Sequence, residues 1–147
     1  MKTRLLFPLF AFLSATAALC AASDHTKGAD VAQVSQGAEI NLADYIVPGK
    51  TTIFDFSSDY CGPCRTYTQP LAQLHSKRAD IAVVRVDINR PDIKGIDWKS
   101  PVAREFQLES IPNFKVYGPD GKLIAEDGPD SNAARLIVDK FIESLGK

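Results

Sequence analysis

Cys61 and Cys64 stand three positions apart in the run Tyr60-Cys61-Gly62-Pro63-Cys64. Placed at the first turn of a helix, two thiols at this spacing can close a small disulfide ring. A helix start also offers unpaired backbone N–H groups and the positive end of the helix dipole. Both favour thiolate over thiol, so the first cysteine of such a pair is a low-pKa nucleophile. Gly62 reads as the residue that lets the backbone turn tightly. Pro63 fits an early helical position, where a missing N–H removes no bond. The chemistry on offer is thiol–disulfide exchange: Cys61 attacks a disulfide sulfur, and Cys64 then attacks Cys61.

Three blander uses of the same pair compete. A structural zinc site needs about four ligands, and His25 and His75 are the chain's only histidines, both poorly placed. A purely structural disulfide over so small a loop constrains the unfolded chain little. Two inert core cysteines would not call for Gly-Pro between them at a strand-to-helix junction. The residues alone favour exchange and leave the other uses open.

The elements that position the pair follow from the pattern on either side. Thr51 to Phe56 is β-branched and aromatic and reads as a buried strand, interrupted only by Asp55. A helical pattern runs from Arg65 to about Ala79, with Tyr67, Leu71 and Leu74 on one face and Pro70 inside it. Ile81 to Ile88 is a second buried strand. Ser100-Pro101 reads as N-cap and first position of a short helix to about Phe106. Ile111 to Tyr117 is a third strand, Pro119 to Lys122 a hairpin turn, and Leu123 to Glu126 the return strand. A last helix follows Ser131-Asn132, its apolar face holding Leu136, Ile137, Phe141 and Leu145. Asn41 is expected to cap a short helix over 42–46. The strand–helix–strand start implies parallel pairing with a right-handed crossover. The fold class is therefore α/β: a mixed central sheet of about four to five strands with helices on both faces.

The first residues read as a targeting signal rather than fold. Lys2 and Arg4 precede a nearly all-apolar stretch from Leu5 to Leu19, and small residues from Ala15 to Ser23 follow. That is the layout of a secretory signal peptide over residues 1–22. An uncleaved anchor is the rival, but the run falls short of the ~20 residues that span a bilayer. Leu19 before Cys20 argues against a lipid anchor. Residues 23–37 read as a flexible lead-in and 38–147 as the folded domain. A periplasmic location is expected, where an exposed dithiol needs a partner to set its redox state. With a net charge of −1 over 147 residues, nothing suggests a nucleic-acid surface.

With Asp55 six residues before Cys61 and Ile111-Pro112 downstream, the Cys61-Gly62-Pro63-Cys64 run resembles thioredoxin, from about Asn41 to the C-terminus. Gly121 and Gly128 also fall where that family places glycines. The resemblance implies the thioredoxin fold and a protein-disulfide oxidoreductase working through a Cys61–Cys64 redox disulfide, without metal or cofactor. It implies a cis peptide bond at Ile111-Pro112, facing the cysteines and offering backbone to an extended substrate segment. Tyr60, Gly62, Pro63, Ile111 and Pro112 would then contact substrate. Asp55 would assist proton removal from Cys64, its pKa raised by burial. The implied partners are disulfide-containing protein substrates and, after export, a membrane thiol donor; the protein is expected to be monomeric. Gly-Pro between the cysteines resembles the reducing members more than the oxidising ones. An oxidant or isomerase, or a non-catalytic binding subunit on the same scaffold, is the alternative.

Four departures stand out. Tyr60 replaces the usual Trp, and Pro70 lies one residue further along than in cytosolic members. Arg85 stands near the Lys that partners the buried acid, where a fixed charge would hold Asp55 ionised. The connection 89–101, with Trp98, is long and reads as a tolerated surface loop, with a partner surface as the alternative.

Overall fold

The computed structural model describes residues 30–146. The expected signal peptide, Cys20, His25 and most of the expected lead-in lie outside the described residues. Six strands form the sheet: β1 (Ala32–Val34), β2 (Thr51–Ser57), β3 (Ile81–Asp87), β4 (Asn113–Tyr117), β5 (Leu123–Gly128) and β6 (Ser131–Asn132). Among the described residues, three α-helices accompany them: α1 (Gly62–Lys77), α2 (Pro101–Glu105) and α3 (Ala133–Glu143). The strand order is β1-β3-β2-β4-β5-β6. Pairing is parallel from β1 through β3 to β2 and antiparallel from β2 onward, which makes the expected mixed sheet.

β2 is central, flanked by β3 and β4. Covered on both faces, its residues 52–57 are all buried, the apolar Ile53, Phe54 and Phe56 together with the polar Thr52, Asp55 and Ser57. Side chains alternate across it. Ile53 joins Leu71, Leu74, Phe114 and Val138 beneath α1 and α3. Phe54 and Phe56 join Val84, Val86 and Val102 on the opposite face, against α2. By this alternation Asp55 shares the α1 side with Ile53.

Three features differ from the sequence reading. Residues 23–37 are not all lead-in, because Ala32–Val34 pairs with Val84 to Val86 of β3. This strand occupies the sheet edge, needs one partner only, and is too short to show an alternating pattern. The short helix after Asn41 is a single 3₁₀ turn, Leu42–Tyr45, with the expected cap: Ala43 N–H donates to Asn41 Oδ1 at 3.2 Å. On α3 the buried residues are Ala134 and Val138, while Leu136 is 53% exposed and not on the core face. His75 links two elements. Its Nδ1 accepts the Val83 N–H at 3.0 Å and ties α1 to β3.

One glycine is required by its surroundings. Gly37 has φ +82°, and a Cβ there would meet Arg90 Cγ at 2.6 Å and Arg90 N at 2.7 Å. Backbone cannot yield as a flexible side-chain end does. Gly37→Ala is therefore expected to lower stability by about 2 kcal/mol or more, measured as a drop in urea midpoint at unchanged slope.

Candidate functional site

The strand-to-helix junction places the cysteines. Beyond Ser57 the chain turns through Ser58 to Tyr60, and Cys61 is the N-cap of α1, with φ −90° and ψ 107°. Its Sγ takes the place that a capping oxygen usually fills, accepting the Cys64 N–H at 3.0 Å. Cys61 and Cys64 are joined by a disulfide, their Cα atoms 5.3 Å apart. In this state the pair is neither a zinc half-site nor two inert thiols. Both cysteines are largely covered, Cys61 at 2% and Cys64 at 4% exposure. Tyr60, Gly62 and Pro63 around them are exposed and form a rim.

Ile111-Pro112 is a cis peptide bond, as the resemblance implied. It brings the Ile111 carbonyl oxygen to 3.6 Å from Cys61 Sγ. Arg135, on α3, donates from its guanidinium to the Pro112 carbonyl and holds this loop from behind. Arg135 is held in turn by Asp127, which accepts both the Arg135 and Phe114 backbone N–H groups at 3.0 Å. Neither Arg135 nor Asp127 was legible in the sequence. Only the position of Asp127 one residue before Gly128 could have marked it.

Gly62 differs from expectation. Its φ is not in the left-handed region and open space surrounds it. The turn therefore does not need glycine there. Gly62→Ala is expected to leave unfolding stability within about 0.5 kcal/mol of wild type, checked by denaturant titration.

Asp55, on β2, is 5% exposed. By strand register it lies between Arg85 of β3 and Phe114 of β4. Burial pushes its carboxyl up to about 7, against lowering by the Arg85 charge and the Ser57 hydroxyl. One oxygen, Oδ1, has no protein hydrogen-bond partner. Arg85 does not pair with it directly. The guanidinium donates to Ser57 Oγ at 2.8 Å and to Asp59 Oδ1 at 2.7 Å. Arg85 thus tempers the rise without reversing it, contrary to the expectation of a firmly ionised Asp55. Arg85→Gln is expected to move the Asp55 titration above about 7, since a lowering charge is lost. Carboxyl-carbon NMR would read it, and a downward move would contradict the assignment.

A polar cleft of about 270 Å³ is lined by Ser57, Asp59, Cys64, Arg65 and Arg85 among others. It is large enough for water and reaches Cys64. Among the described residues, no group of three or more His, Cys, Asp or Glu could hold a metal ion.

A mixed sheet with a CxxC disulfide at the start of the helix after its central strand, facing a cis-proline loop, defines a thiol-redox class of domain. The Thioredoxin family model matches residues 33–141, and the chain belongs to the thioredoxin family. Among curated relatives, a thioredoxin H-type of Fagopyrum esculentum is 34% identical over 68 residues, covering 46% of this chain and 52% of the relative. Thioredoxin H2-2 of Oryza sativa subsp. japonica is 27% identical over 97 residues, 66% of each chain. The chain thus spans about half to two thirds of the length of these relatives. The fold is shared with thioredoxin f of spinach chloroplast, at TM-score 0.53 and 16% identity over 83% of this chain and 98% of that one. It is shared also with thioredoxin O2 of Arabidopsis thaliana in its oxidised state, at TM-score 0.53 and 21% identity over 84% and 99%.

Proposed function

We propose that this protein is an exported protein-disulfide oxidoreductase that reduces substrate disulfides through the Cys61–Cys64 pair. The observation that carries the reading is the disulfide itself, capped on the α1 N-terminus and set against Ile111-cis-Pro112.

In the reduced protein, Cys61 thiolate attacks one sulfur of a substrate disulfide. The other substrate sulfur leaves as thiolate, and a mixed disulfide forms. Cys64 gives its proton to Asp55, through water, and its thiolate attacks Cys61 Sγ. The second substrate sulfur then leaves, so two electrons have passed to the substrate and the pair is oxidised. A carboxylate titrating near 7 matches the demand on a general base at neutral pH. The exposed rim of Tyr60, Gly62 and Pro63, with the Ile111 carbonyl, receives the extended substrate segment.

The basic, apolar and small-residue order of residues 1–22 supports export to the periplasm. There a reductant must itself be re-reduced, and a membrane-embedded thiol donor is the partner of matching chemistry. The protein acts as a monomer in this reading. Insulin reduction by dithiothreitol tests the activity, with acceleration by wild-type protein expected. Equilibration with glutathione tests direction. A potential as oxidising as the strongest known protein oxidants, about −120 mV, would exclude a reducing role.

A further inference from the structure

The connection 89–101 is tied to the cysteine turn at one residue. Asn89 is 7% exposed and uses the whole of its amide. Its Oδ1 accepts from the Ser58 hydroxyl at 2.6 Å and from the Asp97 N–H at 3.3 Å. Its Nδ2 donates to the Gly95 carbonyl at 2.6 Å and the Ile93 carbonyl at 3.3 Å. A side-chain amide has two donors and one oxygen with two lone pairs, so every capacity is filled and only one orientation of the amide fits.

Ser58 passes this constraint on. The hydroxyl that donates to Asn89 accepts the Tyr60 N–H at 3.1 Å, and the Ser58 carbonyl accepts the Cys61 N–H at 3.0 Å. The two residues entering α1 are thus held by one serine, whose hydroxyl is oriented by Asn89. The far side of the connection is equally fixed. Asp97, 4% exposed, receives Arg90 through Nε at 2.7 Å and a second guanidinium nitrogen at 3.1 Å. Gly37 packs closely on the Arg90 backbone. The connection is therefore a built element and not the tolerated loop that its sequence suggested.

We propose that Asn89, acting through Ser58, is a positioning residue for Cys61, and that the 89–101 connection is a brace holding the cysteine turn at the head of α1. This rests on Cys61 being the attacking thiol of the proposed reaction. Thiolate stabilisation depends on Sγ staying at the Cys64 N–H and the helix end, and a slack turn spends less time there. The brace tunes reactivity at a distance, since the Asn89 amide bonds Ser58 and its own connection rather than either sulfur.

The test is alkylation of the reduced protein by iodoacetamide across pH, reading the titration midpoint of Cys61 in wild type, Ser58→Ala, Asn89→Ala, the double variant and Ser58→Thr. Ser58→Ala and Asn89→Ala are expected to raise the midpoint and to slow alkylation at pH 7 about fivefold, the value of one ordinary hydrogen bond. The double variant should fall no further than the single ones, because the two act in series. Ser58→Thr, which keeps the hydroxyl, should retain the wild-type midpoint. If Asn89→Ala fails to fold, the Ser58 pair alone decides. A wild-type midpoint in Ser58→Ala, whatever its melting temperature, overturns the proposal, as does additivity in the double variant. Wild-type Cys61 reacting like an ordinary free cysteine would instead overturn the nucleophile assignment beneath it.

Discussion

Cys61→Ser is expected to reduce insulin-disulfide reduction to the uncatalysed background, while Cys64→Ala is expected to stop the reaction halfway. The asymmetry follows from the geometry. Cys61 is the N-cap whose sulfur receives the Cys64 N–H, and it faces the Ile111 carbonyl on the substrate side. A serine hydroxyl cannot form a disulfide, so no mixed intermediate arises without Cys61. Cys64 lies within the first turn of α1, and its role is to resolve that intermediate. Without it, Cys61 still attacks, and the mixed disulfide persists until an external thiol arrives. Non-reducing gels followed by mass spectrometry would show Cys64→Ala joined to substrate and Cys61→Ser joined to none. Reduction by Cys61→Ser at the wild-type rate would remove the catalytic reading altogether. The partners trapped by Cys64→Ala from whole-cell extract would name the pathway.

That much could be foreseen because the reacting pair is local. Cys61 and Cys64 lie within one helical turn, and the strand before them is apolar for reasons written in its own composition. Asp55 was legible as the single acid in that strand. Its partners were not. The family resemblance placed Arg85 near it, but not the two bonds that turn the guanidinium toward Ser57 and Asp59. Asn89 and Ser58 are 31 residues apart in sequence, and Arg135 and Pro112 are 23 apart. No periodicity connects such pairs, since each bond depends on how the sheet and helices close around it. β1 was missed for a related reason. Three residues at a sheet edge, two of them exposed, carry no pattern beyond the strand they complete. The expected glycine requirement at Gly62 erred the other way, by assigning to the residue a turn that ordinary backbone makes.

Asp55→Asn should make the protein more stable above pH 7 and less active there, with both effects growing as pH rises toward that range. The carboxyl titrates near 7 in the folded protein against an ordinary value of 3.8. Below the ordinary value both folded and unfolded chains hold the proton, and the group costs nothing. Between 3.8 and about 7 the unfolded chain has released it while the folded one has not. The folded state therefore binds more protons, and stability falls as pH rises through this window. Each tenfold difference in proton affinity between the two states corresponds to about 1.4 kcal/mol, so the ionised acid opposes folding by a few kcal/mol above pH 7. An asparagine has no such window, although its buried amide loses about 1–3 kcal/mol where donors go unpaired. The expected result is a gap between variant and wild type that widens from pH 4 to pH 7 and then levels off, read from urea midpoints. The kinetic effect has the opposite sign. At pH 8 the carboxylate can take the Cys64 proton, so its loss should slow resolution of the mixed disulfide about 10²-fold. Below pH 6 wild-type Asp55 is already protonated, and the two proteins should resolve at similar rates. A rate ratio constant across pH would mean that Asp55 shapes the site without accepting the proton. A stability gap constant across pH would mean that its burial does not raise its pKa. The same burial thus carries both results: the site keeps, at a loss of stability, an acid that is half ionised where the proposed reaction needs a base.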